Sequence, residues 1–300
     1  MGGKLSRTVI MLFYLQLISC QFVWAQGENK IGTDTLNTVL FKVTSSHSNK
    51  VSYLFGTHHA FGKSFFDTLY NVHQALSASE VLIKENLNIS GHLAEDIINR
   101  RTVKTKWSKY LKIDELTFVK NLFASSPTNF HKMTPTEMYV FLNRHFNQQV
   151  CLSKDQTDPS LTLDDYIALK AKEHNVKLFG LETTEEQIEL INKDVEGMPR
   201  KVHKRRLSNI IAKIKSRNNN YCEETEWYKQ MEIDYQFNLP CSNNLLLTDR
   251  NNKWMGDIVK LIESNNCFIA VGLSHLMYEC GIIKQLQNQS YTISPVIVNQ

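Results

Sequence analysis

The chain has 300 residues, of which 42% are apolar and 21% are charged, and its formal net charge is +4. A chain of this size and composition can bury one large core or two modest ones, and the lack of a repeat argues against a solenoid. Removal of Lys4 and Arg7 with a predicted leader lowers the net charge to +2, so no nucleic-acid partner is indicated. The default expectation is one compact α/β domain.

Residues 1–25 have the pattern of an export signal. A basic start precedes an apolar run from Val9 to Ile18, and Val23-Trp24-Ala25 resembles a cleavage site before Gln26. The run is too short for a good membrane span. Leu17-Ile18-Ser19-Cys20 also resembles a lipobox, which would make Cys20 a lipidated, membrane-associated N-terminus, but the apolar character that continues to Ala25 favours simple cleavage. Either route predicts an exported protein, periplasmic or extracellular, whose folded domain spans residues 26–300.

Five cysteines remain after the predicted leader: Cys151, Cys222, Cys241, Cys267 and Cys280. An oxidising compartment permits disulfides. Because the number is odd, at least one thiol is free or pairs between chains, and spacing alone leaves the connectivity open. The chain has no C-x-x-C motif, so a zinc ribbon or a thioredoxin-like site is not indicated.

The N-terminal part of the domain places polar side chains at the ends of two strands. Alternating apolar residues predict a hairpin of Leu36–Thr44 with Val51–Phe55, and the second strand stops at Gly56 before Thr57, His58 and His59. A helix from Ser64 to Leu76 and a strand from Val81 to Ile83, ending at Glu85, are then expected. Side chains at such strand ends in α/β sheets usually meet ligands.

The middle of the chain reads as mainly helical. A helical stretch is predicted from Ala94 to Phe146, with breaks at prolines, and another helix begins at Thr162. Val176–Gly180 forms the next strand, and Glu182 at its end repeats the placement of Glu85, although capping of the next helix explains it equally well. Lys201–Arg217 then holds seven Lys or Arg residues on an amphipathic helix. A solvated face is the simpler interpretation, with an anionic surface or lipid headgroup as the alternative.

The C-terminal part repeats the opening arrangement. A helix beginning near Asp249 carries an apolar stripe, and the buried strand Cys267–Val271 stops at Gly272, with His275 three residues beyond. A helix from Leu276 to Gln287 and a strand from Tyr291 to Val298 are expected to close the chain. Both G-x-x-H motifs therefore follow buried strands, one near each end of the domain.

Taken in order, several segments resemble the TraB/GumN family, whose animal relatives are the TIKI proteases. The segments are YLFGTHH, VLIKE, LFGLETTEEQ, LLTDRNNKWMGDIVKLI and CFIAVGLSHLMYEC, and the resemblance covers about residues 36–298. It implies a fold of the erythromycin-esterase-like and ChaN-like type: an α/β domain with a single mixed sheet. Two related halves would each present a strand-end G-x-x-H, with a helical insertion between them.

The resemblance also implies site residues. It matches Gly56–His59 and Gly272–His275 to the two motifs, Glu85 to the strand-end acid, Arg250-Asn251 to an Arg-Asn pair, and Glu182 to a Gly-Leu-Glu-Thr element. Relatives commonly have an apolar residue where this chain has His58. Whether His58 or His59 points into the site is therefore open, and the spacing favours His59.

Two imidazoles and a carboxylate can hold a divalent ion and leave a position open for water, whose pKa falls to about 7 in favourable zinc sites. The candidate metal ligands are His59, His275 and Glu85, and the ion could be Mn, Co, Zn or Fe. Glu85 is alternatively a general base, Glu182 an additional carboxylate, and Arg250 a stabiliser of negative charge on the substrate.

Three functions follow from this interpretation. The favoured one is an exported, metal-dependent, peptidase-like hydrolase acting on a peptide or protein. The alternatives are a regulator that sequesters a peptide without cleaving it, and a ChaN-like haem- or iron-binding protein with an imidazole axial ligand. The chain lacks G-x-S-x-G, H-E-x-x-H and P-loop signatures, so the common serine-hydrolase, zincin and nucleotide-binding classes are not indicated.

Overall fold

A six-stranded mixed sheet forms the centre of the computed structural model, which describes residues 35–154 and 161–298. The predicted leader, Cys20 and the cleavage site before Gln26 lie outside these residues. Within them, no helix has both the length and the apolar character needed to cross a bilayer. The predicted α/β class with one mixed sheet is confirmed.

The strands of the main sheet lie in the spatial order β5-β4-β7-β3-β2-β8. In chain order they are β2 Leu40–Ser45, β3 Ser48–Thr57, β4 Val81–Asn86, β5 Lys177–Glu182, β7 Cys267–Gly272 and β8 Thr292–Val296. A separate antiparallel pair consists of β1 Thr35–Leu36 and β6 Ile233–Asp234. Strands β3, β4, β5 and β7 are mutually parallel, whereas β2 pairs antiparallel with both β3 and β8. The predicted hairpin is therefore β2–β3.

Eleven α-helices are present in the described residues. They are α1 Lys63–Phe66, α2 Tyr70–Ser77, α3 Ala94–Arg100, α4 Ile113–Leu122, α5 Pro135–Phe146, α6 Leu163–Glu173, α7 Thr184–Lys193, α8 Arg200–Ser216, α9 Glu223–Gln230, α10 Asp249–Ser264 and α11 Ile282–Asn288. The first residues of several helices follow from the local sequence. Thr134 and Glu137 form a capping box with Pro135 at the first helical position of α5, and the hydroxyl of Thr162 caps α6.

Two predicted helices differ from the structure. The helix expected from Ser64 to Leu76 is divided into α1 and α2. The helix expected from Leu276 begins only at Ile282, because Tyr278 adopts a left-handed conformation with φ 68°. The backbone N–H of Tyr278 donates to the carbonyl of Tyr235 rather than to a preceding helical turn. This tertiary hydrogen bond replaces the helical pattern that the side-chain spacing predicts.

The buried apolar side chains form two clusters. One covers both faces of the main sheet, where β7 is a continuous buried apolar run typical of a parallel strand. The second lies in a helical lobe, defined here as residues 94–151 and 200–222, and its buried side chains include Trp107, Val119, Met138, Leu142, Phe146, Leu207, Ile210, Ile211 and Ile214. This lobe corresponds to the predicted helical insertion.

The disulfides resolve the connectivity that spacing left open. Cys151 pairs with Cys222 inside the helical lobe, and Cys241 pairs with Cys280 beside the late start of α11. Cys267 is a free, buried thiol on β7. Burial raises the pKa of this thiol to about 12, so it is protonated and unreactive near neutral pH.

Candidate functional site

The four parallel strands end at one edge of the sheet and bring the predicted polar side chains together. β3 ends at Thr57, β4 at Asn86, β5 at Glu182 and β7 at Gly272. Helices that begin at the same edge add further groups, including Arg250 in the first turn of α10. This carboxyl edge is where open α/β sheets bind ligands.

Arg250 is the centre of a buried charge cluster. Its Nη2 lies 2.8 Å from Glu85 Oε2 and also donates to Glu182 Oε1, and its Nε lies 3.2 Å from Glu182 Oε2. The remaining donors on Nη1 reach the Leu246 carbonyl at 3.3 Å and His275 Nε2 at 3.0 Å. All five N–H groups of the guanidinium therefore have a partner. The side chains of Arg250, Glu85 and Glu182 are 13%, 14% and 1% exposed.

Glu85 is fixed by donors from three directions. Besides Arg250, the backbone N–H of Gly272 donates to its Oε1 at 2.7 Å, and Gln187 Nε2 donates to its Oε2 at 3.2 Å. A Cβ at position 272 would lie 3.1 Å from Glu85 Oε1, so the glycine permits this close approach. Burial acts to raise the pKa of Glu85, but His275 and Arg250 outweigh it and lower that pKa. Near pH 7 the lowering of the Glu85 pKa comes from Arg250, because His275 is neutral there and Arg250 is charged.

His275 is held in one tautomer by Asn251. The amide nitrogen of this fully buried asparagine donates to the carbonyls of Cys280 at 2.9 Å and His275 at 3.3 Å, so its Oδ1 is free to accept. His275 Nδ1, 2.7 Å away, therefore carries the hydrogen, and Nε2 accepts from Arg250. The Trp254 ring packs at 4.5 Å from the imidazole. Burial lowers the pKa of His275 to about 4, so the ring is neutral at physiological pH.

His59 belongs to a second, more open group at the same edge. Its Nδ1 lies 2.9 Å from Asp164 Oδ2, and Asp164 Oδ1 accepts from the Thr57 hydroxyl at 2.8 Å. The side chain of His59 is 63% exposed, and its Nε2 has no hydrogen-bond partner among the described residues. The charge of Asp164 raises the pKa of His59. Burial acts to raise the pKa of Asp164, but His59 and Lys84 outweigh it and that pKa is strongly lowered.

His58 points elsewhere. Its ring contacts Phe61 and Tyr228, and its Nε2 lies 3.6 Å from Glu224. Both imidazoles therefore lie near a carboxylate, His59 near Asp164 of α6 and His58 near Glu224 of α9. Local sequence patterns do not identify Asp164 as a site residue, because it lies in the first turn of α6. An acidic residue in a first helical turn is ordinary there, and nothing local indicates that it would face His59.

The described side chains do not form one metal-binding group from the three predicted ligands, and metal binding stays a prediction. His275 Nε2 lies 3.8 Å from Glu85 Oε1, but the guanidinium of Arg250 is hydrogen-bonded to both side chains and supplies the positive charge there. His59 has neither a hydrogen bond nor an ion pair with Glu85 or His275. Across residues 35–154 and 161–298, no group of three or more His, Cys, Asp or Glu side chains is arranged to hold a metal.

A cavity of about 220 Å³ opens beside the charge cluster. Glu182 and Arg250 contribute to its wall, and Lys193, Lys253 and Glu186 supply further charges of both signs. A cavity lined in this way favours a polar ligand over a purely apolar one.

Comparison with known protein families gives a match over most of the chain. The family model described as the TraB/PrgY/gumN family matches residues 39–295. No curated protein and no solved structure matches the chain significantly. The match includes both G-x-x-H motifs, the strand-end glutamates and the Arg250-Asn251 pair. The chain therefore belongs to the TraB/PrgY/gumN family.

Proposed function

We propose that this protein is a hydrolase of peptide-like bonds in which His59 is the proton-transfer group. The single observation that carries the proposal is the His59–Asp164 pair, with an imidazole that is solvent-accessible and a carboxylate that is held in place. The peptide class of substrate rests on the resemblance to TIKI proteases described above. Export, likewise, stays a prediction.

The geometry gives His59 the elements of a general base. Asp164 accepts from Nδ1, which leaves the lone pair on Nε2 to take a proton from water that attacks a substrate carbonyl. Asp164 also stabilises the imidazolium that forms, as the carboxylate does in catalytic triads. Thr57 holds the second oxygen of Asp164, so the carboxylate keeps its orientation while the imidazole changes charge.

The charge cluster around Arg250 supports the site in a different way. Because all five guanidinium N–H groups are engaged, Arg250 positions Glu85 and His275 in this arrangement and has no donor left for a substrate oxygen. Stabilisation of substrate charge by Arg250 stays a prediction that requires a rearrangement on binding. Glu186, Glu189 and Asp249 line the same cavity beside Glu182, and these carboxylates favour a substrate with a positively charged or hydrogen-donating group there.

The test is cleavage of a defined peptide mixture, followed by mass spectrometry, with the chain expressed from Gln26. Substitutions His59→Gln and Asp164→Asn remove the two members of the pair with little change in volume. His47→Gln is the matched control, because His47 is an exposed imidazole in the β2–β3 turn. We expect His59→Gln to reduce the cleavage rate about 10²- to 10⁴-fold and His47→Gln to leave it unchanged.

Metal dependence is measured in the same assay. Chelator treatment, addition of Mn, Co, Zn or Fe salts, and elemental analysis of the purified protein test the predicted ligands His59, His275 and Glu85. Full activity of His59→Gln would refute the proposed role of the pair. About one bound metal per chain, lost in His59→Ala with His275→Ala, would show that the site rearranges around an ion.

One observation favours the second candidate, a regulator that binds a peptide without cleaving it. The charge cluster is fully satisfied internally, as expected of a structural core rather than a reactive centre. Peptide binding without cleavage by the wild-type chain, unchanged by His59→Gln, would select this function. The haem-binding alternative predicts a Soret band on haem addition that His59→Ala or His275→Ala removes.

A further inference from the structure

The charges of this protein are separated between the helical lobe and the rest of the chain. Residues 100–112 and 200–217 contain 14 of the 34 Lys and Arg residues and no Asp or Glu. The remaining sequence holds 20 basic residues against 30 acidic ones, a net charge of −10. Both basic segments belong to the helical lobe, so the small overall charge of +4 conceals a strongly basic surface. Such an asymmetry is a physical argument for an anionic partner.

The two basic segments converge in space. Lys109 from the first segment and Arg200, Lys201 and Lys204 from α8 line a cavity of about 580 Å³. All four side chains are exposed, and none has a carboxylate within ion-pair distance among the described residues. Contact between the rings of Tyr110 and His203 shows that the segments pack beside each other here. Four unpaired cations in one place repel each other, and bound anionic groups relieve that repulsion.

The position of these cations on α8 adds to the positive potential. The helix begins at Arg200, has no acidic residue in its first turn and receives no side-chain cap from Pro199. The positive end of the helix dipole and its free N–H groups therefore lie where the cations are concentrated. The opposite face of α8 is buried through Leu207, Ile210, Ile211 and Ile214, so core packing accounts for its apolar residues and not for its charge.

Apolar side chains are exposed at the other end of α8, beside Lys213 and Lys215. Ile113 is 88% exposed, and its neighbour Asp114 pairs with Lys215 of α8 at 3.0 Å, which places Ile113 beside the far end of that helix. Tyr221 is 56% exposed, and Lys213 Nζ lies 3.8 Å from its ring centroid. A soluble polyanion would leave an exposed isoleucine in contact with water. A lipid surface removes it from water, because the apolar side chain enters the headgroup boundary while the lysines contact the phosphates.

We propose that the basic face of the helical lobe, formed by residues 100–113, the exposed side of α8 and Tyr221, binds the surface of an anionic phospholipid bilayer. The lysines and arginines contact lipid phosphates, and Ile113 and Tyr221 insert at the level of the headgroups. This surface goes beyond the proposed hydrolase function, and none of its residues lies at the His59 or Arg250 site. The two proposals can therefore fail independently.

The test is sedimentation of the chain expressed from Gln26 with vesicles of phosphatidylcholine alone or with phosphatidylglycerol. Omission of the N-terminal segment matters because its apolar run would itself bind lipid. We expect binding only to the anionic vesicles and loss of binding as salt rises. The triple variant Lys109→Gln, Lys201→Gln, Lys204→Gln should bind roughly a hundredfold more weakly, because each adsorbed cation contributes about fivefold. Ile113→Ser should weaken binding by roughly tenfold.

The matched control is Lys42→Gln, Lys172→Gln, Lys260→Gln, which removes three exposed lysines outside the helical lobe and changes the net charge equally. Urea unfolding of each variant verifies that the fold is retained. Equal weakening by the two triple variants, or no binding to anionic vesicles, would overturn the proposal. Binding to a sulfated polysaccharide without binding to vesicles would also overturn it, because the surface would then belong to a soluble polyanion.

Discussion

Arg250→Met is the substitution that tests the architecture of the site most directly. It keeps an unbranched side chain of similar length while removing the guanidinium that joins Glu85 and Glu182. Both carboxylates are nearly buried, with 14% and 1% of their side chains exposed. Without Arg250 they would be left close together without a cation, and His275 Nε2 would lose its donor.

The expected loss of stability follows from the two buried carboxylates that Arg250→Met would leave without a cation. Removing one partner of a buried ion pair costs about 3–5 kcal/mol, because the remaining charge is not solvated. We therefore expect Arg250→Met to lower the free energy of unfolding by about 3–5 kcal/mol. Arg100→Met is the matched control, because Arg100 is 58% exposed and lies 3.9 Å from Glu185. Such an exposed pair contributes at most about 1 kcal/mol.

Urea unfolding followed by circular dichroism and tryptophan fluorescence measures both variants, and coincident transitions justify a two-state treatment. A compensated variant, Arg250→Met with Glu85→Gln and Glu182→Gln, should recover about 2 kcal/mol, since its buried groups are neutral. If Arg250→Met costs no more than Arg100→Met, the guanidinium does not neutralise buried carboxylates and the described arrangement is wrong.

Three further predictions concern single positions. Gly272→Ala should displace the Glu85 carboxylate, because its Cβ would lie 3.1 Å from Oε1, and we expect at least a tenfold loss of cleavage activity, measured by the peptide assay. For His275 the folded pKa of about 4 lies below the unfolded value of 6.5. Stability is therefore fully present above pH 6.5 and falls by roughly 2–3 kcal/mol as pH is lowered toward 4, a decrease that urea unfolding should find reduced in His275→Gln. Cys267, with a pKa of about 12, should resist iodoacetamide at pH 8 in the native state and react after unfolding; rapid native labelling would contradict its burial.

Local patterns in the sequence were sufficient to predict much of the sheet edge. Alternating residues predicted the β2–β3 hairpin, and apolar runs ending in Gly56 and Gly272 located β3 and β7. These features depend on a few neighbouring residues, since side-chain period and turn chemistry are local properties. The resemblance to the family then connected Glu85, Glu182 and Arg250, which no spacing rule relates.

Long-range contacts decided what each of these residues does. Asp164 lies 105 residues from His59 in the chain, and its role depends on where α6 begins relative to the end of β3. The late start of α11 likewise follows from a hydrogen bond to the distant Tyr235 carbonyl. The sequence by itself determined which strands end in polar side chains. Only the tertiary structure decided that Arg250 engages both glutamates and His275, because a guanidinium with five donors selects its partners in three dimensions.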